Sequence, residues 1–408
     1  MEKIKSNIFY IFFALFPVID ILTSFNIRYN ILPISIGVIV RGIFLLCCFI
    51  YTIYNSRNNS KLKIYYISLL LFFIFFILIK IIGNISTNSL INEIKIFLKF
   101  WYFPIILIFL NNYNIDKDKL NKAIKINALV YTCGIIIPLL TNTSFNSYGE
   151  YNDLYSGIVG WFYSANEIGA ILAANLILLY LSLDSKKNNI ISIILIILNV
   201  FALTLLGTKV ALFSIIIITV SVFLIHLLKR KKDLKFKDLK LLKISLILLI
   251  ISSGLILLST TSYDVFRRFN RSGLKDTEYD TFISRLLSGR DIYLLNTFNE
   301  YKYKNIGYKL FGIGFTNNMD KLRSIEMDLF DVFFGYGVIG LILYFIPLIY
   351  YIINFIKNKK VFNAYNIICI MGIILMIIIS TLSGHTLSAP AVSIYLALLI
   401  SLTNKSQS

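Results

Sequence analysis

Residues 261–326 read TSYDVFRRFNRSGLKDTEYDTFISRLLSGRDIYLLNTFNEYKYKNIGYKLFGIGFTNNMDKLRSIE, and their setting decides the fold. They form a long polar stretch between two apolar runs, in a chain that is otherwise a succession of apolar runs with short polar connectors. Arginine concentrates here, at Arg267, Arg268, Arg271, Arg285, Arg290 and Arg323, whereas lysine dominates the other connectors. A planar guanidinium suits bidentate recognition of phosphate or carboxylate. Short helices are expected around 281–303 and 321–326, with a Gly-x-Gly turn at Gly312 and Gly314. This is the expected working loop of the chain.

Working outward, the composition excludes a soluble enzyme. Hydrophobic residues make up 57% and charged residues 15% of the chain, and mean hydropathy is +0.77. A soluble chain of 408 residues would hold two or three domains, but these apolar runs approach the roughly 20 residues needed to cross a bilayer. The net charge of +19 sits mostly in short connectors, so it reads as a determinant of membrane orientation and not as a nucleic-acid surface. Cys47, Cys48, Cys133 and Cys369 all fall in apolar spans and read as packing residues. The first span follows MEKIK without a small-residue cleavage site, so a retained anchor is expected.

About twelve spans are predicted, at 7–25, 31–54, 63–83, 94–111, 122–140, 163–183, 189–206, 208–228, 241–260, 327–356, 362–382 and 386–402. The fold class is therefore all-α: a polytopic membrane protein with one large external loop that contains short helices. Alternate connectors are lysine-rich, most of all KRKKDLKFKDLK at 229–240, while the opposite set is nearly bare. The positive-inside rule then places both termini in the cytoplasm and the large loop outside. The expected division is 1–260 for spans one to nine, 261–326 for the loop and 327–408 for spans ten to twelve.

Ionisable residues inside apolar spans need partners or a wet cavity, since each costs at least about 2.5–3.5 kcal/mol at the bilayer centre. Asp20, Arg41, Lys80, Lys95, Lys99 and Lys209 are such residues, and nearly all fall in the half beneath the loop. Lys95 and Lys99 share a helix face, which favours an anion beside them. Snorkelling to the headgroups accounts equally well for Lys80 and Lys95. The sharper reading is a cationic cavity, open to the outer leaflet, for a lipid carrying a phosphate or diphosphate.

Three segments resemble the O-antigen polymerase and O-antigen ligase superfamily of bacterial membrane glycosyltransferases. Leu203–Ala211, with Thr208 and Lys209, is similar to its "T-x-S-R-G-A" element. Ser288-Gly289-Arg290 followed by Gly312-Ile313-Gly314-Phe315 resembles its "SGR … GIGF" pattern. Glu326-Met327-Asp328-Leu329-Phe330, leading to Gly337-Val338-Ile339-Gly340, resembles the helix by which its loop returns to the membrane. Asn166–Ala170 is similar to its "N-x-x-A" span start. Two departures matter: Lys209 replaces the usual arginine, and Glu326 stands where the ligase branch carries histidine, which points to the polymerase side.

The resemblance implies an inverting, metal-independent transfer on the outer face of the bacterial cytoplasmic membrane, with no cofactor. Oligosaccharide repeat units on a polyprenyl diphosphate carrier would be joined into O-antigen, capsule or exopolysaccharide. A flippase and a chain-length regulator are the expected protein partners. Glu326, Arg290 and Lys209 are the expected catalytic residues. Arg41, Lys95, Lys99, Arg267, Arg268, Arg285, Asp328, Asp331, Gly312 and Gly314 are the expected substrate-binding ones. Fixed cations would meet the charge of the leaving diphosphate, and a carboxylate would serve a sugar hydroxyl. Asp328 and Asp331, at i and i+3, could also hold a cation. His385, on an external turn, and His226, at a span end, rank below these. Two alternatives stay open: a ligase passing glycan to another acceptor, and a flippase for the same lipid-linked oligosaccharides.

Overall fold

A chain in hydrocarbon must satisfy its backbone hydrogen bonds within each segment, and each of the twelve apolar spans is a helix. The computed structural model describes residues 7–55, 59–147, 157–183, 189–229, 236–259, 282–316, 324–357 and 363–405. The helices are α1 (Ile8–Tyr29), α2 (Ile36–Asn55), α3 (Ser60–Ile82), α4 (Thr87–Asn112), α5 (Lys117–Leu140), α6 (Ala165–Ser182), α7 (Asn189–Leu205), α8 (Lys209–Lys229) and α9 (Phe236–Leu258). They continue with α10 (Phe282–Leu287), α11 (Arg290–Lys302) and α12 (Ile306–Phe311) in the loop, then α13 (Asp328–Lys357), α14 (Ala364–Ser383) and α15 (Pro390–Lys405). Among the described residues nine helices are long and apolar enough to cross a membrane. This is an all-α polytopic membrane protein.

The helices cluster into two units that cut across the linear division of the sequence. One comprises Met1–Arg41, Asn114–Asn270 and Val361–Met376; the other comprises Gly42–Tyr113, Arg271–Lys360 and Ile377–Ser408. In the first unit α5 packs on α1, and α6 lies against α7 and α8. The connector after α5 contains a feature the sequence reading missed, a short antiparallel pair β1 (Phe145–Asn146) and β2 (Ile158–Gly160). Arg28 pins it, donating to the Phe162 carbonyl at 3.0 Å and lying 3.9 Å above the Phe145 ring. Gly160, with φ +65°, passes so close to the Gly134 carbonyl that any side chain would collide with it.

The second unit is built on α4, which packs against α15 and α13. Tyr336 of α13 is wholly buried within an aromatic cluster that includes Phe76, Phe97, Phe100 and Phe315, with ring centroids 5.4–5.6 Å away. Immediately after it α13 breaks: Gly337 has φ +70° and ψ −172°. A break in a spanning helix frees carbonyls that lipid cannot satisfy. The loop supplies the missing donors, because Ile313 N–H bonds the Phe334 carbonyl at 2.9 Å and Gly314 N–H the Gly335 carbonyl at 3.1 Å. A Cβ on Gly312 would overlap the Gly335 carbonyl, and one on Gly337 the Leu310 carbonyl, so glycine is required on both sides.

Candidate functional site

The loop segment 312–316 is held from beneath by two buried charges. Lys80 of α3 donates to the Ile313 carbonyl. Glu93 of α4, with no exposed surface, accepts from Phe315 N–H at 2.7 Å, Thr316 N–H at 2.6 Å and Thr316 Oγ1 at 2.8 Å. Lys80 is therefore buried and engaged with the loop backbone. Gly314 belongs to this clamp, because a Cβ there would meet both the Lys80 ammonium and the Glu93 carboxylate. Below the loop helices a small core of Tyr301, Ile313, Ile325, Met327 and Phe334 fixes their position against α13.

On this base three segments meet. Helix α10 ends at Leu287; Ser288 (φ +58°) and Gly289 (φ +81°) reverse the chain, and Arg290 opens α11. Arg290, only 9% exposed, donates from Nη2 to Glu326 Oε2 at 2.7 Å. Its buried Nε finds no hydrogen-bond partner among the described residues. His385, in the turn between α14 and α15, places Nε2 3.9 Å from the same Glu326 oxygen. The imidazole of His385, and after it the guanidinium of Arg290, hold the Glu326 carboxyl down at about 2 against a partial burial that opposes them. Glu326 remains half-exposed, and its carboxylate bonds Arg290 instead of capping α13.

The backbone marks the same three segments independently. Among the described residues six other than glycine have positive φ, and three are asparagines, which tolerate that region. The other three are Ser288, Glu326 at +60° and His385 at +62°. Histidine, like asparagine, is enriched in that region, whereas a left-handed conformation costs residues such as Ser288 and Glu326 on the order of 1–2 kcal/mol each, and residues so strained cluster where function requires them.

Two neighbouring carboxylates impose that strain. Asp328, 1% exposed, accepts from His385 N–H (3.1 Å), Thr386 N–H (2.8 Å), Leu387 N–H (2.7 Å), Ser380 Oγ (2.9 Å) and Ser388 Oγ (2.6 Å). Asp331 accepts from Ile325 N–H at 2.8 Å and Met327 N–H at 3.1 Å, the residues on either side of Glu326. Both aspartates, expected at a sugar or a cation, are thus engaged with the protein's own donors and support the turns of His385 and Glu326. Gly384 completes the contact, since a Cβ there would lie 2.5 Å from the Glu326 carbonyl oxygen.

The remaining expected residues are dispersed. Lys209 opens α8 in the first unit, after the left-handed Gly207; Thr208 caps that helix by accepting from Ala211 N–H at 3.2 Å. Arg41, expected to face substrate, is ion-paired with Asp20 of α1, which also accepts from the Tyr131 hydroxyl. A buried charge of this kind needs such a partner. Lys95 is half-buried and Lys99 exposed on α4, away from the side that buries Glu93 and Phe97. Arg267 and Arg268 lie outside the described residues, as do the side chain of Arg285 and most of the helix expected at 321–326. His385, Lys80, Glu93 and Gly384 are the residues that sequence reasoning left out or ranked low.

The apolar helices of the described residues, a loop docked on a broken span, and a cluster of guanidinium, carboxylate and imidazole define a polytopic membrane protein with a polar site at the foot of one loop. The chain belongs to the family of O-antigen ligase like membrane proteins, which matches residues 2–270 and 268–403. Such membership points to glycan processing of the glycosyl-transfer type at a membrane. No curated protein matches the chain.

Proposed function

We propose that this protein is a polysaccharide polymerase that joins oligosaccharide repeat units carried on polyprenyl diphosphate, on the outer face of the bacterial cytoplasmic membrane. The observation that carries the reading is the Arg290–Glu326 pair, a nearly buried guanidinium with an unpartnered Nε beside a half-exposed carboxylate. A guanidinium so placed has donors to offer a diphosphate, and it can exchange a carboxylate for a phosphate oxygen at little cost. As the sugar–phosphate bond breaks, negative charge grows on the leaving diphosphate, and a fixed cation in a low-dielectric site stabilises it. Glu326 and its neighbours then face the acceptor sugar. Lys95 and Lys99 are proposed as contacts for the lipid-linked substrate.

The test is reconstitution of the purified protein in lipid nanodiscs with a polyprenyl-diphosphate-linked repeat unit. A ladder of products, each longer by one unit, is the expected result. The family's description favours one other reading, a ligase. A single product appearing only when a second class of acceptor lipid is supplied would replace the polymerase with that reading.

A further inference from the structure

Glu326 is a poor terminus for a proton. A general base works best when its pKa lies near the working pH, and this carboxyl is held at about 2. The imidazole 3.9 Å away is the only ring of its type in the cluster among the described residues. Its placement is fixed by the fold: His385 sits at φ +62°, and Asp328 holds that turn through five donors, one of them the His385 N–H.

Resting on the transfer reading above, we propose that His385 is the catalytic residue that takes the acceptor's proton, that Glu326 orients it and stabilises its charged form, and that Asp328 is the positioning residue that sets it there. The step balances as one displacement. The acceptor hydroxyl gives its proton to the imidazole, and its oxygen forms the new bond to the anomeric carbon of the donor. The bond from that carbon to the diphosphate breaks, and the electron pair leaves with the diphosphate, beside Arg290. The imidazolium so formed stands next to the Glu326 carboxylate, the arrangement that steadies an imidazole base in other transferases and hydrolases. Three carboxylates, Glu326, Asp328 and Asp331, and the Arg290 guanidinium are the charged groups around it among the described residues.

Transfer by the nanodisc-embedded protein is to be followed between pH 5 and 8 for the wild type, His385→Asn and Glu326→Gln. Asparagine keeps the left-handed turn, so His385→Asn tests chemistry and not folding. The wild-type rate is expected to rise with pH. His385→Asn should abolish that rise and lower kcat about 10²–10⁴-fold, with donor KM unchanged. Asp328→Asn should lower kcat and leave KM in place, as a positioning residue does. A His385→Asn protein with the wild-type rate and pH profile would overturn the proposal and leave the polymerase reading intact. A second readout is independent of activity, because the chain contains two histidines. With His226→Gln as the background, the ¹⁵N-imidazole titration midpoint of His385 should fall in Glu326→Gln, because the neighbouring carboxylate is lost. An unmoved midpoint overturns the pairing even in a preparation that transfers nothing. A wild type that transfers nothing, but in which the midpoint does move, overturns the transfer reading and the catalytic role of His385 with it, and leaves only the Glu326–His385 pairing.

Discussion

Replacing Gly384 by alanine measures how finely the site must be set. The added Cβ would lie 2.5 Å from the Glu326 carbonyl oxygen and 2.7 Å from its carbon, where ordinary contact begins at 3.4 Å. The obstacle is backbone on both sides, so the Glu326 turn must retreat by about 0.9 Å. Alanine at φ +65° adds a local cost on the order of 1–2 kcal/mol. That is too little to expel the spanning helices from a membrane, and protein yield should stay near normal. A displacement near 1 Å at reacting groups costs about 10²-fold in rate, so transfer by Gly384→Ala should fall by about that factor. Gly384→Asn suits the left-handed turn but keeps the Cβ, and it should lose as much. Gly254→Ala is the control, since nothing lies within 4 Å of its added carbon. The assay is the initial rate of ladder formation in nanodiscs, normalised to monodisperse protein. Wild-type rates from Gly384→Ala would refute the claim that the Glu326–His385 spacing governs transfer.

Arg290→Ala is expected to abolish polymer while leaving inserted protein abundant, and Arg290→Lys to recover little, because a compact ammonium cannot reproduce the fork; product gels and membrane immunoblots check both. The depressed Glu326 pKa is a stability contribution that is fully present above its ordinary 4.5 and lost as pH falls toward about 2. The melting-temperature difference between wild type and Glu326→Gln should therefore shrink as pH falls from about 4.5 toward about 2. It will be small, because the carboxylate is half-exposed. On the proposed orientation, Tyr303→Cys should react with an impermeant thiol reagent in cells whose outer barrier is opened, and Asp118→Cys should not. Exposed Cys47 is first replaced, and the reverse pattern would invert the topology.

The spans were legible because lipid leaves the backbone no choice: a segment either satisfies itself as a helix or stays out. Arg290 and Glu326 were each singled out in the sequence, one from a Ser-Gly-Arg turn and one from the end of the loop, and they stand 2.7 Å apart. Their shared support was hidden for a definite reason. Asp328 and Asp331 serve backbone N–H groups, and no residue pattern announces which backbone a carboxylate will accept from. Asp20 and Arg41 were both conspicuous as charges in apolar spans, yet pairing them required knowing that α1 and α2 place them side by side. Glu93 was invisible because it follows a run of small polar residues that reads as an ordinary connector. Its acceptor role depends on loop residues more than 200 positions later. His385 ranked low, as a residue on an external turn, since only the fold shows that the turn sets it beside Glu326.

The clamp of Lys80 and Glu93 on residues 312–316 bears on how such proteins change specificity. A loop that carries the chemistry looks like a cassette, transferable between relatives to alter which sugars are joined. Here the cassette's footing is in α3 and α4, far upstream, and a transplanted loop would leave behind an ammonium and a carboxylate with no exposed route to water. Exchanging the loop alone should therefore yield poorly assembled chimaeras, and exchanging it together with 60–112 and 328–357 should not. Divergence in such a lineage would proceed by point changes around a fixed footing, or by recombination of long stretches, in preference to loop swapping.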